Sequence, residues 1–384
     1  MASRRIDSWN AGLRTALLPI LPLLADERIT EIEANAFDEV WVKGSGWRGH
    51  KKTTSRWMNH EDFRLACIRV GEVIGRPVSE TSPLCNARLP GGERVNVAVP
   101  PACAKIALTI RLFPSETMNF DALEKFGSVD KNLRQMLESL VAARKSLLIA
   151  GGTGSGKTSL LNALSQVIAQ DERIVTIEDS RELQIQQPNW VAMETVEPFT
   201  QDGPRVTIGD LVKNALRQTP DRIVVGEVRG EEALFLLRAL STGHGGGLGT
   251  IHANDGVDAL YQLQLLAQMA DVGGLTSAVV AAMVARAVDL VVYQGYFEEG
   301  NARRVSEILE MDRPGVKMGT GNAVEYRVRR LVQWDPDRKA WTYPDAPSAA
   351  LRATLKRRQL PWPEVSLRAT GAEPGAPAEE RRAS

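Results

Sequence analysis

Apolar and polar residues alternate along much of the first hundred positions, with the two-residue period of half-buried strands. One stretch in this region has the spacing of a helix instead. The predicted elements are strands at residues 29–35, 39–42, 93–99 and 107–111 and a helix at residues 61–74. Such strands together with a helix indicate a small α+β domain, which we place at residues 1–112, followed by a linker at residues 113–128.

The pattern changes near Val129 to short apolar runs that alternate with helical stretches. The runs of strand length are residues 147–150, 174–177, 223–225, 248–251 and 290–293. Strands that alternate with helices are typical of a parallel sheet with crossover helices. The predicted fold class is therefore α/β with a parallel sheet over residues 129–300, preceded by the smaller α+β domain.

The periodic signal weakens after Gly300. We therefore predict a C-terminal extension at residues 301–343. Residues 344–384 mix Pro, Ala, Arg and Glu and end in a segment rich in Gly, Ala and Pro. Because this composition offers too little apolar surface to form a core, we expect a disordered tail there.

The composition is that of a globular protein without a dominant charge. The 384 residues include 47 Lys and Arg against 47 Asp and Glu. No global positive field attracts nucleic acid, so we expect no direct sequence-specific nucleic-acid binding. The three cysteines, Cys67, Cys85 and Cys103, contain no C-x-x-C pair, which argues against a disulfide framework and against a zinc site.

Two apolar segments are too short to cross a bilayer. Residues 16–25 follow several arginines, as in a signal peptide, but two prolines interrupt them and Asp7 precedes them. Residues 278–285 end at Arg286. Since a spanning helix needs about 20 apolar residues, we expect a cytoplasmic protein with no transmembrane segment and an amphipathic helix near its start.

Residues 151–159 read Gly-Gly-Thr-Gly-Ser-Gly-Lys-Thr-Ser and fit the P-loop pattern G-x-x-x-x-G-K-[ST] at every fixed position. The glycines let backbone N–H groups face the phosphates of a nucleoside triphosphate, Lys157 reaches the β- and γ-oxygens, and the Thr158 hydroxyl can bind Mg²⁺. A strand-like run precedes the loop and a helical pattern follows it, as a P-loop requires. The predicted nucleotide-binding residues are Gly151, Gly152, Thr153, Gly154, Ser155, Gly156, Lys157, Thr158 and Ser159.

Two predicted strands end in carboxylates. One runs into Glu178-Asp179 and the other into Gly226-Glu227. Open α/β sheets place ligand-facing groups at the carboxyl ends of their strands, so either Glu178 or Glu227 could orient the attacking water. Gly226 stands where many P-loop enzymes have a Mg²⁺-binding Asp. Glu227 is therefore predicted to act through a metal-bound water or as the base.

Two of the four histidines flank a glycine-rich segment, Gly245-Gly246-Gly247. They are His244 and His252, and their spacing of eight is not that of a helical metal pair. Because both lie near predicted strand ends, we predict that they sense the γ-phosphate or relay a proton.

These segments together resemble the ATPases that power type II and type IV secretion, type IV pili and conjugation. The matching boxes are a P-loop at residues 151–158, an Asp box at 176–179, a Walker B segment at 226–230 and a His box from 242–244 to 250–254. Within the family the chain is most similar to the conjugal-transfer and type IV secretion branch, including TrbB-like ATPases. It lacks the cysteine-rich zinc module that is typical of type II secretion and pilus-extension relatives.

The resemblance implies a RecA-like P-loop NTPase domain that hydrolyses ATP with Mg²⁺. It also implies a homo-hexamer that is peripherally associated with the inner membrane and works on inner-membrane components of a secretion or conjugation machine. An arginine from elsewhere would steady the transferring phosphate. By position, Arg111 is predicted as a contact from the N-terminal domain, and Arg217 and Arg229 as phosphate or intersubunit groups.

Three alternatives stay open at the level of the sequence. A type IV pilus retraction motor also lacks the zinc module. A DNA-translocating P-loop ring shares the same core, although the neutral net charge counts against it. A non-enzymatic, nucleotide-gated scaffold is conceivable because Gly226 replaces an acid.

Overall fold

The computed structural model describes residues 8–44, 47–112, 118–196, 203–241, 245–270, 272–318 and 324–364. The chain divides into two compact units, Met1–Thr117 and Met118–Ser384. No helix within the described ranges is long and apolar enough to cross a membrane.

The first unit is built on a six-stranded antiparallel sheet in the order β3-β2-β1-β6-β5-β4. Its strands are β1 Ile29–Ala36, β2 Glu39–Gly44, β3 Lys51–Lys52, β4 Leu84–Arg88, β5 Arg94–Ala98 and β6 Ala107–Arg111. Its helices are α1 Ala11–Ala16, a 3₁₀ turn Leu18–Ile20, α2 Leu21–Leu24 and α3 His60–Val73. All the elements predicted for this region are confirmed, because the alternating apolar side chains of the strands form one buried face against the helices.

The second unit contains a nine-stranded sheet in the order β15-β14-β13-β12-β7-β11-β10-β8-β9. Its strands are β7 Leu147–Gly151, β8 Ile174–Glu178, β9 Trp190–Glu194, β10 Arg222–Val228, β11 Leu248–His252, β12 Leu290–Phe297, β13 Ala302–Met318, β14 Val324–Asp335 and β15 Ala340–Thr342. Neighbours from β12 to β9 pair in parallel. The strands β12 to β15 pair antiparallel. The predicted α/β class is confirmed, with a largely parallel sheet that follows a smaller α+β domain.

Helices cover both faces of this sheet. They are α4 Phe120–Lys125, α5 Lys131–Ala142, α6 Lys157–Gln166, α7 Ile208–Ala215, α8 Glu232–Ser241, α9 Gly256–Gln268, α10 Ser277–Ala287 and α11 Ala349–Arg357. Helices α4, α5, α6 and α11 pack in one core, and α7 to α10 pack in the other. The central strands β7 and β8 are buried along their whole length, which explains their continuous apolar runs.

Three boundary predictions are wrong for the residues described: those of the linker, the C-terminal extension and the disordered tail. Helix α4 occupies part of the predicted linker and buries Phe120 and Leu123 in the core of the second unit; residues 113–117 lie outside the described ranges. The predicted extension at 301–343 instead forms strands β13 to β15 of the nine-stranded sheet.

The predicted disordered tail is also wrong over residues 344–364. There the chain forms α11, whose amino end is capped by the Ser348 hydroxyl and whose Leu351 and Leu355 are buried. The prediction rested on the overall content of Pro, Ala and Arg, which does not register an amphipathic helix of nine residues. Residues 365–384 lie outside the described part of the chain.

Candidate nucleotide site

The P-loop connects β7 to α6 through a backbone that requires glycine. Gly154 and Gly156 have φ of 72° and 97°, in the left-handed region that other residues avoid. A Cβ on Gly151 would collide with the carbonyl oxygen of Gln294, whereas the space beside Gly152 and Gly154 is open. The loop is thus packed against the sheet on one side and open on the other.

The amino end of α6 is suited to hold an anion. Gly156 is its N-cap and supplies no capping side chain, so the N–H groups of the first turn are left for an external acceptor. The Ser155 hydroxyl is buried and has no hydrogen-bond partner among the described residues. Thr158 and Ser159 follow in the first turn, half-buried. These observations fit a bound phosphate chain.

Lys157 lies folded back over its own loop. Its Nζ donates to the carbonyl oxygens of Gly151 and Gly152, at 3.0 Å each, and lies 3.3 Å from His252 Nδ1. The residue is only 8% exposed, and this burial lowers the pKa of Lys157, with Glu227 acting in the opposite direction. An anion at the loop would take the place of the two carbonyl oxygens as partner of Lys157 Nζ. Its negative charge would favour the charged form of Lys157.

His252 joins Lys157 to Glu227. It ends β11 opposite Gly151 of β7, and its Nε2 lies 2.6 Å from Glu227 Oε1. Since the ammonium of Lys157 can only donate, Nδ1 must accept and the ring proton lies on Nε2, facing Glu227. Burial and the charge of Lys157 lower the pKa of His252, so the neutral ring is favoured.

Glu227 is held by Arg229 on one side. Arg229 Nε donates to Glu227 Oε2 at 2.6 Å, and its Nη1 donates to Asp179 Oδ2 at 2.9 Å. Glu227 Oε1 is buried and receives no well-aligned hydrogen bond within the described residues, despite its proximity to His252. The carboxylate is thus fixed in position between Arg229 and His252.

Glu178 has a different environment, although it also ends a strand. Its Oε1 accepts the backbone N–H groups of Glu182 at 2.7 Å and Leu183 at 2.9 Å. A Cβ on Gly226 would lie 2.9 Å from Glu178 Cγ. Glu178 therefore organises the loop after β8, and Gly226 replaces the usual acid because the side chain of Glu178 fills the adjoining space.

Arg229 and Arg217 lie at opposite ends of strand β10. Arg229 lies with Glu227, as described above. Arg217 lies in a 3₁₀ turn just before the amino end of β10, whereas the P-loop is at the carboxyl ends of the parallel strands. Its predicted role as a phosphate or intersubunit group stays a prediction.

The predicted roles of Arg111 and His244 stay predictions. Arg111 belongs to the first unit, where its Nη2 lies 3.2 Å from Glu31 Oε1. His244 falls outside the described residues, so its predicted role stays a prediction.

Two residues that were not predicted from the sequence contact the P-loop. Arg303 Nε donates to the Gly154 carbonyl at 2.7 Å. Gln294 is buried, and its Nε2 lies 3.6 Å from the position of a Cβ on Gly156. Neither belongs to a motif, and only the pairing of β12 with β7 and β13 could have placed them there.

Comparison with known proteins gives a consistent assignment. Residues 16–318 match the family described as Type II/IV secretion system protein. A putative conjugal transfer protein of Mycobacterium tuberculosis is 32% identical over 83% of this chain and 88% of its own length. The type IV secretion system protein VirB11 of Bartonella henselae is 34% identical over 70% of this chain and 84% of its own length.

A solved structure supports the same fold. The X-ray structure of the Legionella pneumophila ATPase DotB superposes with a TM-score of 0.56 over 78% of this chain and 82% of that chain, at 19% identity. With the P-loop and the matched residues, these findings identify the chain as a member of the type II/IV secretion system protein family, in its conjugal-transfer and type IV secretion branch.

Proposed function

We propose that this protein hydrolyses ATP in the presence of Mg²⁺ and uses the energy to drive a type IV secretion or conjugal-transfer apparatus. The observation that carries the proposal is the contiguous series of contacts from Lys157 through His252 to Glu227 beside an open P-loop. It places a phosphate-binding cation next to a carboxylate that can accept a proton from water.

The P-loop residues bind and neutralise the phosphates. Backbone N–H groups from residues 152–158 and the Lys157 ammonium face the anion, and Lys157 exchanges its two carbonyl contacts for phosphate oxygens. The amino end of α6 adds a favourable dipole. Binding therefore needs little rearrangement of the loop.

Glu227 orients and deprotonates the attacking water through Oε1. Arg229 holds the other oxygen and so keeps the carboxylate aimed at the site. His252, which is neutral at pH 7, lies between Glu227 and Lys157 and couples the state of the phosphates to the carboxylate. Glu178 supports the adjoining loop through its contacts with the backbone of Glu182 and Leu183.

The Thr158 hydroxyl is the protein group that would hold Mg²⁺. The metal, when bound, would neutralise charge on the phosphate oxygens. Glu227 is less suited to direct ligation because Arg229 already engages Oε2. A water between Glu227 and the metal is consistent with the unaligned Oε1.

The assembly proposal follows the family. We assign the chain to a cytoplasmic homo-hexamer, peripherally associated with the inner membrane through the membrane components of the secretion machine. Arg111, Arg217 and the half-exposed Arg229 are the candidates for completing a neighbouring site. A closed ring of identical subunits uses the same heterologous interface at every junction.

The Lys157→Ala substitution tests the proposal. It should lower ATP turnover at least about 100-fold, because the main phosphate-binding cation is lost. Lys213→Ala is the matched control, since Lys213 is exposed on α7 in the same unit. Wild-type turnover in the Lys157→Ala protein would overturn the assignment of the site.

A further inference from the structure

Arg303 fastens the P-loop to the edge of the β12–β13 hairpin. Its Nε donates to the Gly154 carbonyl at 2.7 Å, and its Cδ lies 3.3 Å from the position of a Cβ on Gly156. The arginine itself is exposed. A side chain larger than that of glycine at position 156 would push this contact away.

Tyr296 is the cross-strand partner of Arg303. The two residues pair in register between β12 and β13, and the guanidinium lies 5.5 Å from the centre of the tyrosine ring. Tyr296 is 48% exposed, and its hydroxyl donates to Asn301 Oδ1 at 3.0 Å. A large, half-exposed aromatic ring is thus held in place beside the phosphate-binding loop.

Both side chains lie on the face of the sheet that carries α6. Val292 of β12 packs in the same core as α6, and Gln294, two residues further, lies under Gly156. Tyr296 continues this face by a further two residues, about 6–7 Å along the strand. Its ring therefore lies just beyond the P-loop at the end of the sheet.

The order of the strands decides which part of a nucleotide lies there. Strand β7, which leads into the P-loop, has β11 on one side and β12 on the other. His252 and Glu227 act at the terminal phosphate from the β11 and β10 side. Strands β12 and β13 lie on the opposite side of β7 from these residues, so a nucleoside that extends away from His252 and Glu227 would meet Tyr296.

We infer that the β12–β13 hairpin is the nucleoside-binding wall of this site, with Tyr296 stacking on the base and Arg303 coupling that platform to the P-loop. The inference rests on the proposed function. Stacking uses the face of a base and tolerates different bases, whereas hydrogen bonds to the base edge discriminate among them. The site would therefore accept adenine and guanine nucleoside triphosphates with similar affinity.

The test is isothermal titration calorimetry of the full chain with three ligands: the slowly hydrolysed analogues AMP-PNP and GMP-PNP and inorganic tripolyphosphate, which has no base. Tyr296→Ala should weaken both nucleotides about 10-fold and leave tripolyphosphate within about 2-fold, since only the stacking surface is removed. Tyr296→Phe should bind all three like the wild type. Arg303→Ala should weaken all three, because its contact is with the loop.

A matched control is Phe126→Ala, which removes an exposed aromatic ring elsewhere in the same unit and should leave all affinities unchanged. Unchanged nucleotide affinity in Tyr296→Ala would overturn the inference, as would an equal loss for tripolyphosphate. A wild-type protein that binds none of the three would instead refute the proposed function, and the inference with it.

Discussion

Glu178 and Glu227 end neighbouring parallel strands, yet their side chains are committed to different tasks. Glu178 is 3% exposed and its Oε1 accepts two backbone N–H groups. Glu227 Oε1 instead lies 2.6 Å from Nε2 of His252, the residue that also contacts Lys157. We therefore propose Glu227 rather than Glu178 as the base.

Replacement of each glutamate by glutamine separates the two roles. Glu227→Gln should lower kcat at least about 100-fold with little change in nucleotide affinity, because the acceptor of the water proton is lost. Glu178→Gln keeps an acceptor for the two N–H groups and should retain turnover within about 10-fold. Steady-state kinetics with binding measured separately would check both; a larger loss in Glu178→Gln would reverse the assignment.

The state of His252 predicts a pH dependence. Its pKa is lowered from 6.5, so the ring gains a proton only below that value and is neutral above it. Protonation would prevent Nδ1 from accepting the Lys157 hydrogen bond, so turnover should fall as the pH drops through the lowered pKa.

The matched variant is His252→Gln, which keeps a polar side chain but cannot gain this proton. The wild-type pH–rate profile should have an acid limb with its midpoint below pH 6.5, and that limb should be missing in the variant. Identical profiles would show that another group controls the limb.

Residues within a local motif were predictable, and residues brought together by strand pairing were not. The P-loop positions follow from a contiguous pattern whose chemistry is local. Arg303 approaches Gly154 only because β13 pairs with β12, and β12 with β7.

At the level of elements, the buried strands and the helices between them were predictable because strands and helices differ in how their apolar residues are spaced along the sequence. The edge of the sheet was not. Strands β13 and β14 are long and partly exposed, and the bulges in their pairing break the regular alternation of buried positions. Helix α11 is short and contains two buried leucines, which are too few to reveal a helical pattern in a segment with the composition of a disordered tail.

Helix α11 is predicted to contribute to the stability of the second unit. Leu355 is 4% exposed and packs in the core that also contains α5 and α6. Leu355→Ala should lower the free energy of unfolding by about 2–4 kcal/mol, because it leaves a cavity. The neighbouring residue Lys356 is exposed, so Lys356→Ala should change the free energy of unfolding by less than about 0.5 kcal/mol.

Urea denaturation of the two variants measures this difference. A Leu355→Ala protein with the wild-type midpoint would show that α11 is not part of the folded unit. Such a result would favour the tail that the composition first suggested.

For the whole molecule, a nine-stranded sheet presents its P-loop near the middle, with groups for the terminal phosphate on one side and the β12–β13 hairpin on the other. Membership of the type II/IV secretion family indicates that the protein works in a secretion or conjugation machine. In the ring proposed above, an exposed arginine of one subunit completes the site of its neighbour. Activity should then depend on assembly.

The most direct test is the initial rate of Mg²⁺-ATP hydrolysis across a dilution series of the full chain, with the oligomeric state measured at each concentration. We expect specific activity to fall as the assembly dissociates, and to be lost throughout the series in Lys157→Ala. Constant specific activity in samples shown to be monomeric would contradict the shared site. Absence of hydrolysis in the assembled protein would contradict the ATPase itself.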